Sequence, residues 1–281
     1  MLTSKCSQFF KTAGIAFTGI ALLSMSTSFH RPVPANEEQY HVIKVVGKII
    51  IKKSGSLLEQ GNIITASESI IFTSPEAKAS VISEKSGRLV LSSNGKKKEE
   101  AVSIRANLIP AMNNISSRSG SILNSLDLQN YFQDSNVILD ETRIFINPSS
   151  FVMNDTSFFF ARYEYKGEMI DKKILFRQDT ILLNRKQLFT IDGVAVTNPE
   201  YLNAELFYYT HKHGQKMSDL HLVFPADEQM KKEVQVILLE IKNKTYQEKV
   251  SEVVSFINEF YGKPDTENVK QWLRKQEGLD N

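Results

Sequence analysis

Three histidines and one aspartate in the C-terminal half of the chain carry the side chains of a metal site. They are His211, His213, Asp219 and His221. Imidazole nitrogens and carboxylate oxygens are common zinc ligands, and a zinc ion with an open fourth position activates water. The sequence therefore raises the hypothesis of a zinc site, and of a metal-dependent hydrolase built around it.

A predicted β-hairpin positions these four residues. Its strands cover residues 205–213 and 218–224, and both are rich in aromatic and aliphatic side chains. We expect a three-residue loop at 214–216, which places His211 opposite Asp219. The ligands then share one surface, because residues two apart on a strand point to the same face.

The metal hypothesis depends on this register. His213 lies opposite Met217 in it, and a slip of one residue turns Asp219 and His221 to the other face of the sheet. No His-Glu-x-x-His or comparable spacing occurs in the sequence. Polar side chains on the solvent face of an antiparallel strand explain the same pattern, and this interpretation is favoured.

No other catalytic arrangement stands out. The chain lacks a Gly-x-Ser-x-Gly elbow and a Gly-x-Gly-x-x-Gly phosphate loop. The acidic neighbours Asp140-Glu141 and Glu99-Glu100 lie in predicted loops, where solvated pairs are expected. A non-catalytic protein without a cofactor is therefore favoured, and a zinc enzyme is the alternative.

A cluster of aromatic residues is the second candidate site. Residues 158–165 and 207–209 alternate on predicted strands, so that one row of rings faces the core and another row faces outward. Helices that follow favour a core role for most of the rings. If an outer row stays uncovered, it is a partner surface. The candidate partner-binding residues are Phe158, Phe160, Tyr163, Tyr165 and Tyr209.

Charge excludes one class of partner. The 281-residue chain has a formal charge of +2. Lys5 and Lys11 account for that charge, so the rest of the chain sums to zero. Nucleic-acid binding needs clustered cations that neutralise phosphates, and we therefore expect no nucleic-acid partner.

The N-terminus resembles an export signal. Lys5 and Lys11 precede the apolar run 15–25, which is short for a membrane span, and small residues follow. We predict a cleaved signal peptide at 1–28, with a retained N-terminal anchor as the alternative. The protein is then exported to the periplasm or cell envelope, without an integral membrane span after cleavage. Cys6 is the only cysteine and precedes the apolar run, so the mature chain has neither a lipid anchor nor a disulfide.

Residues 40–92 consist of short β-branched runs separated by turn residues, which predicts an all-β roll or sandwich. The motifs in this stretch are Gly47 with alternating apolar residues, Leu58-x-x-Gly61-Asn62-x-Ile64, Ala77-x-Ala79-x-Val81 and Gly87-Arg88-Leu89-Val90-Leu91. This pattern resembles the FecR-type periplasmic domain, although Asn62 stands where aspartate is commoner. The resemblance implies a β-roll outside the inner membrane. The family's signalling role is not carried over, because only a short segment precedes the apolar run.

The predicted organisation has four segments after the signal peptide. After a spacer at 29–39, a β-rich FecR-like domain spans 40–112 and a polar linker spans 113–125. An α+β domain spans 126–281, with a strand meander followed by helices. The fold class is thus α+β: an N-terminal all-β roll or sandwich, then an antiparallel sheet with C-terminal helices packed on one face.

Three C-terminal helices are predicted. The first covers 227–242, the second follows the capping box of Thr245 and Glu248, and the last begins at Asp265 or Thr266. With these elements, we expect an exported envelope binding or scaffold protein that contacts an envelope protein through its β-rich modules. The alternatives are the metal-dependent hydrolase and an envelope signal-relay subunit.

Overall fold

The computed structural model describes residues 37–95, 98–112, 122–197 and 199–278. The predicted signal peptide, most of the spacer and residues 113–121 of the predicted linker lie outside the described residues. In the described part of the chain, no helix is both long enough and apolar enough to cross a membrane.

The first part of the chain forms two antiparallel sheets, as its β-branched runs predict. A five-stranded sheet has the order β3-β1-β5-β6-β8, and a three-stranded sheet has the order β2-β4-β7. A short 3-10 helix, Arg105–Asn107, precedes the last strand. The strands are β1 (Gln39–Val46), β2 (Ile49–Ile51), β3 (Ile63–Thr65), β4 (Ser69–Phe72), β5 (Lys78–Ser83), β6 (Gly87–Ser92), β7 (Lys98–Ser103) and β8 (Leu108–Pro110).

The five-stranded sheet is buried on both faces. Val42 and Val81 pair across β1 and β5 and point into the core between the two sheets. The next residues along these strands, Ile43 and Ile82, point the other way and pack against the C-terminal helices. This arrangement explains why neighbouring positions in these strands, Val42 with Ile43 and Val81 with Ile82, are both apolar rather than alternating with polar residues.

The turn after β1 depends on a glycine. Gly47 has φ +73°, and a Cβ built there would lie 3.1 Å from the Ala77 Cα. A larger residue is excluded by both the left-handed backbone and the close approach of the neighbouring chain. The glycine therefore sets how tightly the chain folds from one sheet into the other.

The second part of the chain builds a separate sandwich. A six-stranded sheet has the order β12-β11-β17-β18-β9-β19, and it faces the three-stranded sheet β10-β14-β13. The elements are α1 (Ser125–Phe132), β9 (Asn136–Val137), β10 (Glu141–Phe145), β11 (Phe158–Tyr165), β12 (Glu168–Lys173), β13 (Leu175–Arg177), β14 (Thr180–Asn184), α2 (Arg185–Leu188), β15 (Thr190–Ile191), β16 (Val194–Ala195), β17 (Tyr201–Thr210), β18 (His213–Val223) and β19 (Lys263–Pro264).

Two predicted strands of the meander differ in the structure. The expected strand at 168–176 breaks at Ile174, which is fully buried, so that β12 and β13 belong to different sheets. The expected strand at 188–191 is shortened by helix α2. The Asn184 side chain accepts a hydrogen bond from the Gln187 backbone N–H and starts that helix.

The three C-terminal helices are confirmed. They are α3 (Asp227–Glu240), α4 (Tyr246–Phe260) and α5 (Thr266–Glu277). Thr245 and Glu248 form the predicted capping box, and Asp265 caps α5 by accepting from the Asn268 N–H at 2.8 Å. These local signals fix the helix starts independently of tertiary packing.

Helices α3 and α4 pack on one face of an antiparallel sheet, but the sheet is the N-terminal one, and α5 packs on α4 and beside β10. Their buried side chains contact Ile43 and Ile82 of the five-stranded sheet. The same cluster includes Val137 and Val223 from the six-stranded sheet. The helical layer thus contacts both β regions. Helix α1 and the sheet β10-β14-β13 pack against the inner face of the six-stranded sheet.

A buried arginine fastens β6 to α4. The Arg88 side chain is fully buried and donates from Nε to Glu252 at 2.6 Å, from Nη2 to Ser255 Oγ at 2.7 Å and from Nη1 to Glu259. Its charge is therefore paired on two sides. Ser255 lies three positions after Glu252 and four before Glu259, so the three groups share one face of α4 and a single helix supplies the whole pocket.

A second polar contact joins β1 to α3. Glu233 is fully buried; it receives Lys44 Nζ at 3.1 Å and the Tyr261 hydroxyl at 2.6 Å. Lys44 also donates to the Tyr261 oxygen at 2.8 Å. Burial, followed by the charge of Glu233, raises the pKa of the Tyr261 hydroxyl far above its usual range.

We predict that Arg88→Ala destabilises the protein strongly. The variant leaves Glu252 and Glu259 without their cation in a low-dielectric contact, so the free energy of unfolding falls by about 3–5 kcal/mol. Urea unfolding measures this change. As the control, Arg143→Ala removes an arginine whose side chain is 56% exposed, and it costs less than about 1 kcal/mol. Equal losses in the two variants contradict the prediction.

We also predict that Tyr261→Phe reduces alkaline sensitivity. The folded state holds the raised pKa, whereas the unfolded chain ionises near pH 10, so folding stability is lost as the pH rises above about 10. The wild type then loses up to about 1.4 kcal/mol per pH unit from this group. Urea unfolding at several alkaline pH values compares the slopes. Parallel slopes for wild type and variant show that Tyr261 does not contribute.

Candidate functional site

One face of the six-stranded sheet combines aromatic with charged side chains and is open to solvent over β12, β11, β17 and most of β18. At the end of β18, Val223 on this face packs against the C-terminal helices. We call this face the outer face, because the opposite face packs on the three-stranded sheet β10-β14-β13. Every strand that contributes to it carries exposed residues there. It comprises Met169, Asp171 and Lys173 of β12, Phe158, Phe160, Arg162 and Glu164 of β11, Asn203, Glu205, Phe207 and Tyr209 of β17, and Gly214, Lys216, Asp219 and His221 of β18.

Four rings form an aromatic row at one end of this face. The antiparallel register places Phe158 opposite Tyr209 and Phe160 opposite Phe207. Each pair is stacked with ring centroids 5.0 Å apart, at interplanar angles of 25° and 12° respectively. Cross-strand aromatic pairs of this kind stabilise the sheet. Phe158, Phe207 and Tyr209 are half-buried, whereas Phe160 is only 9% exposed.

Two cations border the aromatic row. Lys173 Nζ lies 4.3 Å from the centroid of Phe158, and the Arg162 guanidinium lies 4.8 Å from that of Phe207. Arg162 also makes a two-pronged contact with Asp171, at 2.6 and 2.7 Å. The hydrogen bonds from Arg162 lower the pKa of Asp171, and the pair holds the guanidinium over the ring.

A glycine makes room for the row. A Cβ built on Gly214 would lie 3.3 Å from two ring atoms of Phe160 and 3.8 Å from Phe207. Gly214 lies opposite Tyr209 in the ladder, so its missing side chain lets the rings lean across β18. The backbone angle of Gly214 is not in the left-handed region, and the requirement for glycine is therefore one of space.

Beyond the rings, the outer face becomes ionic. Lys216 Nζ lies 2.6 Å from Glu205 and 2.8 Å from Asp219. Hydrogen bonds to Asp219 and Glu205 raise the pKa of Lys216. This charged cluster separates the aromatic row from the polar end of the sheet, where the His221 ring and Asn203 Oδ1 lie 2.8 Å apart.

The predicted partner-binding residues divide between the two faces. Phe158, Phe160 and Tyr209 belong to the outer face. Tyr163 points into the core, is 2% exposed and donates its hydroxyl to the Leu188 carbonyl, and burial raises its pKa. Tyr165 also lies on the core side. The correction follows from alternation, since residues 158 and 160 cannot share a strand face with 163 and 165.

Sequence reasoning missed three members of this surface. Phe207, Arg162 and Lys173 become part of it only through the pairing of β11 with its two neighbours. Phe207 was discoverable from its spacing of two to Tyr209. No local signal marks Lys173, because its position above Phe158 depends on the register across two strands.

The predicted metal residues do not come together. The hairpin turns at His211 and Lys212, whose φ values of 48° and 63° give a two-residue turn, so the expected loop at 214–216 is wrong. His213 then lies opposite Thr210. His211 lies in the turn and pairs with no residue of β18.

A bulge changes the remaining partners. Met217 is an extra residue in β18, between the pairs Leu206–Ser218 and Phe207–Lys216. Asp219 consequently faces Glu205, and His221 faces Asn203, rather than the histidines that were expected at the end of the preceding strand. Among the described residues, no group of three or more His, Cys, Asp or Glu side chains is arranged to hold a metal ion.

Comparison with known proteins adds no family assignment. No family model matches this sequence, and no curated protein matches it either. The outer face is therefore interpreted from its own geometry.

We predict that Gly214→Val disturbs the aromatic row. The new side chain forces Phe160 and Phe207 to move, and overpacking of this kind lowers the free energy of unfolding by about 1–3 kcal/mol. Gln215→Val is the matched control, because Gln215 is exposed and lies opposite Tyr208 on the other face. Thermal unfolding compares the two. A Gly214 variant as stable as the control rules out tight packing at this position.

Proposed function

We propose that this protein is an exported, non-catalytic binding or scaffold component of the cell envelope, and that it holds a protein partner on the outer face of its six-stranded sheet. The observation that carries the proposal is the aromatic row bordered by Arg162 and Lys173. Aromatic residues and arginine are the residue types enriched in the centres of protein interfaces.

The geometry of Arg162 supports this use. Its guanidinium is already fixed by Asp171 and by the ring of Phe207, so that little side-chain freedom remains to be lost on binding. Stacked rings are equally restricted. Binding surfaces that are ordered before the partner arrives avoid an entropic cost of about 0.5–1.5 kcal/mol per long side chain.

The charges indicate the chemistry of the partner. Within the described part of the chain, Lys173 forms no ion pair and instead lies above Phe158 and Phe176. An apolar segment that carries a carboxylate fits this end of the face. The rings bury its apolar part, and the Lys173 ammonium forms an ion pair with its carboxylate. The ionic cluster around Lys216 then limits the contact on its other side.

Export rests on the N-terminal pattern of Lys5, Lys11 and the apolar run 15–25. The resemblance of residues 40–92 to FecR-type periplasmic domains supports the same location. The strand-rich arrangement of β1 to β8 is compatible with such a domain. The envelope location and the FecR-like assignment are parts of the proposal.

Affinity capture from the protein's own cells tests this function. We predict that a C-terminally tagged wild type retains a stoichiometric protein partner, and that Tyr209→Ser combined with Lys173→Glu reduces its recovery at least about tenfold, a loss of about 1.4 kcal/mol. Leu239→Ser is the control, because Leu239 is 70% exposed on α3, outside this sheet. The intact mass of the protein in the same sample shows whether the predicted signal peptide has been removed.

Two results contradict the proposal. If the partner stays bound to the double variant but is lost from the control, the contact lies on the helices. If the wild type is recovered alone with one zinc ion per chain, the protein is not the binding component proposed here. Unfolding midpoints of both variants exclude loss of fold as the cause.

A further inference from the structure

Strand β12 forms an end of the six-stranded sheet and leaves one of its sides unpaired among the described residues. It contains Glu168, Met169, Ile170, Asp171, Lys172 and Lys173. A free strand edge is a template for pairing with a strand of another chain. The charges and free backbone groups of the edge determine which strand can pair with it.

The hydrogen-bond phase of β12 identifies the groups that point outward. The Ile174 N–H donates to the Phe159 carbonyl at 2.9 Å, and in an antiparallel ladder every second residue repeats this bonding. Ile170 and Lys172 therefore bond to β11. Met169, Asp171 and Lys173 direct their N–H and C=O groups away from the sheet.

One end of this edge is already closed. The Lys173 carbonyl accepts a hydrogen bond from the Gln187 side chain, and Lys172 Nζ donates to the Thr190 carbonyl. The available backbone groups are therefore those of Met169 and Asp171. Met169 is 62% exposed, which leaves this part of the edge accessible.

Only a few registers allow a second copy of β12 to pair here. Pairing joins the outward N–H and C=O groups of one β12 to the outward groups of the other. Met169 or Asp171 of one chain therefore faces Met169 or Asp171 of the other. Asp171 opposite Asp171 sets two like charges together and requires the Lys173 carbonyl, which is occupied. Met169 opposite Met169 extends the pairing into the turn at Lys166 and Gly167.

The remaining register is self-complementary. Met169 of each chain faces Asp171 of the other, Ile170 faces its own copy on the two-fold axis, and Glu168 faces Lys172 on both sides of it. Opposite charges directly across an antiparallel pair stabilise it, and the symmetry provides this pair twice. Ile170 is half-buried against the core of the second sandwich, so that its copy extends that apolar contact.

We propose that two copies of this chain associate through β12, antiparallel, with Met169 opposite Asp171 and Glu168 opposite Lys172. This proposal is independent of the function proposed above, because it concerns the strand edge rather than the outer face. An interface of one short strand per chain is small, and the association is consequently weak and concentration-dependent. The dimer joins the two six-stranded sheets into one continuous sheet.

A charge exchange tests the register. Glu168→Lys places two lysines opposite each other, and Lys172→Glu places two glutamates opposite each other, so each single variant weakens self-association at least about tenfold. The double variant Glu168→Lys/Lys172→Glu restores opposite charges and recovers association. A mixture of the two single variants also recovers it, because each chain then supplies the charge that the other lacks.

Sedimentation velocity on the purified protein, over a concentration series reaching about 1 mM, measures these effects. The controls Glu228→Lys and Lys212→Glu make the same charge changes at exposed sites away from β12. A wild type that stays monomeric throughout the series overturns the proposal. So does a dimer that is insensitive to the single variants, or a mixture that stays monomeric. Thermal unfolding confirms that each variant is folded.

Discussion

The fully buried charge of Arg88 constrains how this chain can be assembled. A guanidinium without water must be surrounded by acceptors, and α4 supplies them through Glu252, Ser255 and Glu259. Strand β6 and helix α4 are therefore held face to face, although they are far apart in the sequence. The helical layer is committed to the N-terminal sheet by this contact and by that of Lys44 with Glu233.

Because the helices pack mainly on the five-stranded sheet, one face of the six-stranded sheet stays largely open to solvent. The C-terminal helices follow the second sandwich in the chain, and covering its sheet is the simplest expectation for an α+β domain. Because they cover the five-stranded sheet, the inner face of the six-stranded sheet is instead covered by α1 and the sheet β10-β14-β13. Phe158, Phe207 and Tyr209 remain half-buried on the opposite face, and this partial exposure gives the aromatic row its potential as a contact surface.

The hairpin of β17 and β18 decides which chemistry this surface can have. A two-residue turn at His211 and Lys212, together with the bulge at Met217, aligns Glu205 with Asp219 rather than histidine with aspartate. The result is an ionic cluster around Lys216 and not a group of metal ligands. The zinc hypothesis required Asp219 to face His211, whereas in the structure Asp219 faces Glu205, six positions earlier in the chain than His211.

The sequence alone determined the strand-rich first half, the three C-terminal helices and the capping box of Thr245 and Glu248, because these depend on local propensity and short-range hydrogen bonds. Alternation alone also separates Phe158 from Tyr163. Tertiary structure alone decided which sheet the helices cover, the register at Met217 and the position of Lys173 above Phe158. Those features depend on contacts between residues remote in the chain, where many pairings satisfy the same local pattern and only packing and charge burial select one.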